Sequence, residues 1–422
     1  MYASENGTSH LAVNSITEAA RRLQQWIERR DYAGYEPFDI LNSPFLRSSA
    51  RHCPVNWALL QIGKRFGGIP LRRILRVSPS RNPKALGLML AGYCDLSFCS
   101  EECSRQMHYL VEKLERLRSP DERFFCWGYD WDYISLRTTV LPAFRANAVA
   151  SIFCGSALLD LALVTGDEKA LQRALSVGNF IVRRLNRPVD TSTRVCFSYT
   201  PADNTRVCNV TALAGAFLAR LGRLSGEQSF LGFARRAMQY VLEEQLLDGA
   251  WFYGTGKRQR WIDGFHTGYN LCALIEYYQL TGDPQVRRAI DRAQTFYESS
   301  LFTPQGIPQY YDKSLYPIDI HCCAQAILTF CALAHLNADV LARAIAVAEW
   351  TIHNMSAPDG SFFYRRHRLW TDKTPYMRWG QAWMFRALAR LRREVQMQAS
   401  ESLESPRTRE MSLSDEYMPQ IS

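Results

Sequence analysis

Two segments of the chain place an aspartate and a histidine together where an apolar helix is predicted to begin. One holds Asp263 and His266, and the other holds Asp319 and His321. Histidine suits proton transfer because its unperturbed pKa lies near neutrality. An aspartate at a helix start is also a common N-cap, so each aspartate has a structural alternative. We predict all four as candidate catalytic residues, because two adjacent helices that begin alike are harder to explain by packing than one.

Aromatic residues recur in the loops that precede the apolar helices. Pyranose rings have apolar C–H faces that stack on aromatic side chains, and tyrosine hydroxyls bond to sugar hydroxyls. Packing explains any single one of these residues, so their recurrence at the same point of each unit is what favours a shared cleft. With polar neighbours added, the predicted substrate-binding residues are Trp127, Asp130, Asp132, Tyr199, Trp251, Tyr253, Trp261, Asn270, Tyr310, Tyr311, Tyr316, Gln325, Tyr364, Arg378 and Trp379.

Two of these candidates carry alternatives that the sequence leaves open. Asp130 and Asp132 could be the acid and base of glycoside hydrolysis. However, both need not face the site, and a capping or turn role is the favoured alternative. Arg378 could bind a substrate carboxylate through two N–H groups, or it could form a surface salt bridge.

A repeat of roughly 50–70 residues supplies the helices that would position these side chains. Each unit has an aromatic loop, an apolar helix, a tight turn such as Thr281-Gly282-Asp283, and an amphipathic charged helix. A helix that is apolar on all sides is buried, and an amphipathic one has a wet face. Helices are predicted at 11–31, 83–97, 100–118, 142–164, 168–185, 205–224, 227–246, 263–280, 284–300, 317–336, 338–355 and 376–394.

Six buried and six half-exposed helices in alternation predict an all-α fold, an (α/α)6 toroid of six helical hairpins. We expect a single domain over 1–396, with a helical insertion at about 32–81. The polar residues 397–422 are predicted to form a disordered tail. In such a toroid the starts of the inner helices converge on one mouth.

Composition narrows the range of functions. The formal net charge is +9, but no nucleic-acid-binding or nucleotide-binding motif accompanies it, so no nucleic-acid partner is expected. The twelve cysteines show no C-x-x-C spacing and are predicted to be free buried thiols. No targeting segment is recognised, so we expect a cytoplasmic protein. We also expect neither a metal nor a cofactor. A basic stretch at 57–76 is a candidate for docking on a membrane or an assembly partner. Oligomeric state is left open.

The chain resembles the six-hairpin toroids of carbohydrate-active proteins over about 83–394. The segments Trp261-Ile-Asp-Gly-Phe-His-Thr-Gly-Tyr-Asn-Leu and Tyr316-Pro-Ile-Asp-Ile-His are similar to segments in proteins of bacterial exopolysaccharide biosynthesis clusters. The resemblance implies an oligosaccharide or polysaccharide substrate, including one that contains uronate. It implies a substrate class more than a reaction, because one fold hosts many chemistries.

Three functions are therefore considered. The first is an enzyme of bacterial polysaccharide metabolism that acts on a glycan as a hydrolase, a lyase or an epimerase. The second is a non-catalytic glycan-binding component of exopolysaccharide assembly. The third is a terpenoid-cyclase-like toroid, for which the aspartate-rich signatures are not evident.

Overall fold

The computed structural model describes residues 3–46, 58–63, 68–96, 101–120, 122–135 and 139–403. Twelve long helices dominate the described residues. They are α1 (Ala3–Glu28), α2 (Pro83–Leu96), α3 (Glu101–Arg116), α4 (Ala148–Thr165), α5 (Glu168–Arg184), α6 (Cys208–Ser225), α7 (Gln228–Glu243), α8 (Gly264–Thr281), α9 (Pro284–Ser300), α10 (Ile320–Ala334), α11 (Leu341–Met355) and α12 (Trp383–Leu403).

The even-numbered helices form a closed inner ring. Each packs against the next, from α2 through α4, α6, α8 and α10 to α12, and α12 packs back against α2. The odd-numbered helices lie outside them, and α1 completes the outer layer by packing on α12 and α11. The predicted all-α, (α/α)6 toroid is thereby confirmed.

Three hairpins turn through the same residues. Gly166, Gly226 and Gly282 end α4, α6 and α8 in the left-handed region, with φ between 66° and 74°. Glycine adopts this conformation without the steric cost that a Cβ atom brings. Asp167 and Asp283 then accept hydrogen bonds from the first turns of α5 and α9 as N-caps. In these three hairpins, two residues separate the end of the inner helix from the start of the outer one.

Helix α4 shows how the inner ring accommodates an apolar helix. It is the one described helix long and apolar enough to cross a membrane, yet 61% of it is buried by its neighbours in the ring. A Cβ atom on Gly87 of α2 would lie 3.1 Å from the Cys154 backbone of α4, so these two helices approach closely. Packing within the toroid accounts for the apolar character of α4.

Short strands join the loops around one end of the ring. They are β1 (Tyr133–Ser135), β2 (Thr139–Leu141), β3 (Val189–Asp190), β4 (Val195–Cys196), β5 (Ile318–Asp319), β6 (Arg365–Arg366) and β7 (Thr371–Asp372). The antiparallel pairing of β5 with β6 sets Asp319 opposite Arg365. An isolated bridge likewise joins Asp263 to Tyr311 in the next loop. Loops from successive hairpins thus hold one another in place.

The largest differences between predicted and observed helix boundaries concern three helices. Helix α1 begins at Ala3, well before position 11. Helix α4 begins at Ala148 rather than 142, because β1, β2 and a turn occupy the preceding residues. The last helix follows a π-helical turn at Met377–Ala382 and continues to Leu403, beyond the boundary predicted at 396. The rest of the predicted tail, 404–422, lies outside the described residues.

The structure describes part of the predicted insertion and corrects one residue of its basic stretch. Trp57 and Lys64 of the basic stretch 57–76 lie outside the described residues. Arg72 is fully buried, and its Nε donates to Asp39 Oδ1 at 2.7 Å. Arg72 therefore does not belong to an exposed basic face, which corrects the amphipathic interpretation at that position. Docking through the rest of the stretch stays a prediction.

Candidate active site

A cavity of about 320 Å³ opens where the inner helices begin. Its walls come from the first turns of these helices and from the loops that lead into them. The residues that line it are Phe38, Lys84, Tyr129, Trp131, Val149, Tyr199, Asn209, Tyr253, Trp261, Asp263, Phe265, His266, Tyr269, Tyr310, Tyr311, His321, Arg378 and Trp379. Convergence of the inner-helix starts on one mouth agrees with the geometry predicted for a toroid.

His266 and Asp263 form a hydrogen-bonded pair in the wall of this cavity. Asp263 is the N-cap of α8, and its Oδ1 accepts from the His266 backbone N–H at 2.9 Å. Its Oδ2 is 2.7 Å from His266 Nδ1 and accepts from Trp261 Nε1 at 2.9 Å. The carboxylate is buried, whereas the histidine side chain is 20% exposed. Since Nδ1 is engaged by the carboxylate, Nε2 is the nitrogen that a ligand can reach.

His321 forms a second pair with Tyr269, a residue that the sequence analysis did not select. The tyrosine hydroxyl is 2.7 Å from His321 Nε2. Burial lowers the pKa of His321 well below its usual range, so the ring is neutral. Burial also raises the pKa of Tyr269, so its hydroxyl keeps its proton. The His321 tautomer decides which of the two groups donates in this hydrogen bond.

The two histidines lie close together in one cavity. The Phe265 ring centroid is 4.0 Å from that of His266 and 4.4 Å from that of His321. Tyr269 contacts both, at centroid distances of 5.8 and 5.9 Å. His321 is buried between Phe265 and Trp383, which stack on its two faces. His266 is therefore the more accessible of the two rings.

Asp319 has a structural role, which corrects its selection as a catalytic residue. Its Oδ1 accepts from the His321 backbone N–H at 2.8 Å and from Trp379 Nε1 at 2.9 Å. Its Oδ2 accepts from Arg365 Nε at 2.5 Å. The side chain is fully buried and does not line the cavity. It caps α10 and ties that helix to the next loop.

The recurrent loop aromatics divide into two kinds by position. Trp127 and Trp251 are buried, and each indole donates to a carbonyl at the end of the preceding outer helix, at 2.7 and 2.9 Å. Tyr129 and Tyr253, two residues later, line the cavity. The two members of each pair therefore have different surroundings, because the tryptophan packs in the core and the tyrosine faces the cavity. This corrects the binding role predicted for Trp127 and Trp251.

Several other predicted binding residues do line the cavity. Tyr199, Trp261, Tyr310 and Trp379 contribute to its wall, and Tyr311 stands at its rim with 40% of its surface exposed. The Tyr253 and Trp261 rings stack at a centroid distance of 4.4 Å. An aromatic surface of this kind can bind the apolar face of a sugar.

The acidic pair in the loop before α4 does not line the cavity. Asp130 is buried and accepts hydrogen bonds from Ser80 Oγ and Asn82 Nδ2. Asp132 Oδ1 accepts from the Ala143 backbone N–H at 3.0 Å. Their roles are structural, in loop closure, and this corrects their selection as substrate-binding residues.

Four further predicted residues lie elsewhere. Tyr316 is exposed outside the cavity, and Tyr364 is buried edge-on against Tyr376. Asn270 is buried below the wall, beside Cys208. Gln325 faces a different cavity at the far end of the ring. These corrections to the predicted binding residues share one cause. The position of a residue along a helix or loop does not reveal how far its side chain lies from the axis of the ring.

Arg378 lines the cavity but already has a buried acidic neighbour. Its Nε lies 3.2 Å from Glu36 Oε2, and its backbone N–H donates to Glu36 Oε1 at 2.7 Å. Its guanidinium lies 4.9 Å from the Trp131 ring centroid. Burial raises the pKa of Glu36 to about 8 despite the nearby guanidinium. Arg378 is thus neither a surface salt bridge nor a cation free of acidic neighbours.

A second cavity, of about 420 Å³, lies at the C-terminal ends of the inner helices. It is the larger of the two, but its charged residues pair with one another. Arg220 bonds to Asp160 at 2.6 Å, and Arg390 bonds to Glu394 at 2.6 Å. The mouth cavity, which contains both histidines and the aromatic surface, is the better candidate for chemistry.

The sequence analysis missed several residues of the mouth cavity, including Phe38, Lys84, Phe265 and Tyr269. One signal was present for Tyr269, which follows His266 by three positions and so falls on the same helix face. A second was Lys84, a charged residue within the first turn of an otherwise apolar helix. The others have no feature that distinguishes them from core residues.

No cluster of three or more histidine, cysteine or carboxylate side chains suited to a metal ion occurs among the described residues. The ten cysteines in that part of the chain are unpaired, and nine of them are buried. Burial raises the pKa of Cys322, beside His321, well above its usual value. These thiols are therefore inert packing groups rather than nucleophiles or metal ligands.

Comparison with known proteins places the fold among carbohydrate-active toroids. No family model matches the chain, and no curated protein matches it by sequence. Similar solved structures include a family 76 α-mannanase of Bacteroides thetaiotaomicron, at 13% identity and a TM-score of 0.58 over 77% of this chain and 90% of that one. A cellobiose 2-epimerase from Bacillus thermoamylovorans is 13% identical, with a TM-score of 0.60 over 76% and 89%.

A third similar structure is an unsaturated glucuronyl hydrolase specific for heparin. It is 11% identical, with a TM-score of 0.57 over 76% of this chain and 89% of that one. The chain therefore has the six-hairpin, glycosidase-like fold that its sequence resembled. At these identities the likeness establishes the fold, and the reaction must be argued from the cavity. The link to exopolysaccharide clusters stays a prediction.

Proposed function

We propose that this protein is a carbohydrate-active enzyme that moves a proton on a reducing sugar, with epimerisation next to the aldehyde carbon as its reaction. The observation that carries the proposal is the pair of histidines in one aromatic cavity, each held by a hydrogen-bonding partner. The fold is shared with a cellobiose 2-epimerase as well as with hydrolases.

Epimerisation at C2 needs a base that can remove a carbon-bound proton. In the open-chain sugar, removal of the C2 proton sends the bonding electrons to the carbonyl oxygen and forms an enediolate. Return of a proton to the other face of C2 gives the epimer. His266 Nε2 is placed to take the proton, because Asp263 holds Nδ1–H and favours the imidazolium that forms.

The Tyr269–His321 pair provides a second site for protons. The hydroxyl is hydrogen-bonded to a neutral imidazole, so the pair holds a proton without carrying a net charge. Tyr269 would deliver its proton to the enediolate carbon. After release of the product, the proton on His266 would leave to solvent and Tyr269 would take a proton back from solvent. Tyr253 and Trp261 would bind the apolar face of the sugar.

Hydrolysis finds less support in the cavity. Both glycosidase mechanisms use two carboxyl groups beside the scissile bond. Asp263 is the one acidic residue among those described that line the cavity, and both its oxygens accept hydrogen bonds. Elimination at a uronate would need a cation for the substrate carboxylate, and Arg378 already lies beside Glu36.

The test follows deuterium at C2. Cellobiose and mannose-terminated disaccharides are incubated with the protein in D2O, and NMR measures deuterium at C2 together with any released monosaccharide. Exchange at C2, lost in His266→Asn and reduced in Tyr269→Phe, is the expected result. Monosaccharide release without exchange would replace the proposal with hydrolysis. Saturable sugar binding without either change would favour a glycan-binding protein.

A further inference from the structure

Lys84 occupies an unusual place for a lysine. It is the second residue of the inner helix α2, it is 3% exposed, and it lines the mouth cavity. Its Nζ lies 4.3 Å from the centroid of the Phe153 ring and 5.0 Å from that of Trp383. The amine therefore sits in an aromatic surround at the floor of the candidate site.

No acidic side chain among the described residues forms an ion pair with this lysine. Its hydrogen-bond partner there is the Tyr269 hydroxyl, at a long 3.5 Å. An unpaired ammonium is expensive to bury, so a lysine kept only for packing would be poorly suited to this position. Burial, and then the charge of Arg378, lower the pKa of Lys84 well below its usual value. The amine is thus held without its proton, and a neutral amine is a nucleophile.

We propose that Lys84 forms an imine with the aldehyde carbon of the open-chain sugar. The Nζ lone pair attacks C1, an N–C bond forms, and the carbonyl π electrons move to oxygen, which takes a proton from the amine. The resulting carbinolamine takes up a proton on its hydroxyl and loses water, which leaves a protonated imine. Hydrolysis reverses each step, so no other reactant is consumed.

The imine would deepen the proposed function, on which it rests for the class of substrate. A protonated imine withdraws electrons from C2 more strongly than a neutral aldehyde, so the C2 proton is easier for His266 to remove. Tyr269 contacts both participants, because its hydroxyl lies near Lys84 Nζ and bonds to His321. Lys84 would then be the electrophile-forming residue of a site whose histidines move the proton.

Reductive trapping tests the inference on the wild-type protein. The protein is incubated with cellobiose and cyanoborohydride, which reduces an imine to a stable secondary amine, and peptide mapping by mass spectrometry locates the adduct. Modification of Lys84 ahead of the surface residues Lys169 and Lys257 is the expected result. The methyl glycoside of cellobiose has no free aldehyde and should give no adduct. Adducts confined to surface lysines would overturn the inference.

Variants separate this inference from the proposed function. Lys84→Met fills similar volume without an amine, and Lys84→Arg has a guanidinium that cannot form an imine under these conditions. Trapping on Lys84 without deuterium at C2 would leave the imine standing and refute epimerisation. Deuterium exchange in the wild type, retained in Lys84→Met, would refute the imine and leave epimerisation standing. The trapping experiment does not depend on either variant folding.

Discussion

Replacement of Asp263 by asparagine tests the role of the His266 pair most directly. Asparagine is as good an N-cap as aspartate, so its oxygen can still accept from the His266 backbone N–H. Its amide nitrogen would then face His266 Nδ1 and Trp261 Nε1, both of which donate to the carboxylate in the wild type. His266 Nδ1 can accept a hydrogen bond from this amide only if the imidazole proton moves to Nε2.

The cost of that change can be estimated. A hydrogen bond to a charged group contributes about 1.5–3 kcal/mol, which corresponds to a loss of about 10- to 150-fold in rate. We expect kcat for C2 exchange to fall by this factor. KM should change little, because the substitution leaves the aromatic surface that binds the sugar in place. Asp283→Asn, at the exposed N-cap of α9, is the matched control and should leave exchange unchanged.

The assay combines deuterium exchange by NMR with thermal unfolding of each variant. Exchange by Asp263→Asn at the wild-type rate would show that the carboxylate does not set the histidine tautomer. An equal loss in Asp283→Asn would show that the rate reports helix capping and not the histidine. Either result would refute the role proposed for the hydrogen bond between Asp263 and His266.

Three further outcomes follow from buried and strained positions. The pKa of Glu36 is raised to about 8, so its contribution to stability is complete below pH 4.5 and is lost as pH rises through 8. Between those pH values the free energy of unfolding of the wild type, measured in urea, should fall by ~3–5 kcal/mol relative to that of Glu36→Gln. The same pH dependence of unfolding free energy in both proteins would contradict this. Trp127→Ala should lower the free energy of unfolding by about 3–5 kcal/mol. Tyr311→Ala, at the exposed rim, should change it by less than ~0.5 kcal/mol but should weaken sugar binding measured by calorimetry. A similar loss of stability in both variants would show that Tyr311 does not lie at the rim. At Gly249, where φ is 95°, an added Cβ atom would lie 2.3 Å from a carbonyl oxygen, whereas Gly282, where φ is 66°, has open space around it. Gly249→Ala should therefore lower the melting temperature more than Gly282→Ala. Equal melting temperatures in the two variants would contradict the clash.

The helices and turns were predictable because their signals are local. The glycine of Thr281-Gly282-Asp283 takes the left-handed conformation that ends a helix, and Asp283 caps the next one. Alternation of apolar and amphipathic helices indicated two layers, and two layers of six close into a toroid. The boundary errors, such as the start of α4, fall where a short hairpin replaces the first predicted turn.

The content of the cavity depended on how the ring closes. Asp263 and Asp319 have the same position at a helix start, yet one holds a histidine ring and the other bonds to Arg365 and Trp379. The amino-acid sequence by itself determined the toroid and directed attention to the two histidines. Only the tertiary structure decided that Tyr269 and Lys84 meet them at the axis, because contacts across the ring join residues far apart in the chain and leave no periodic trace in it.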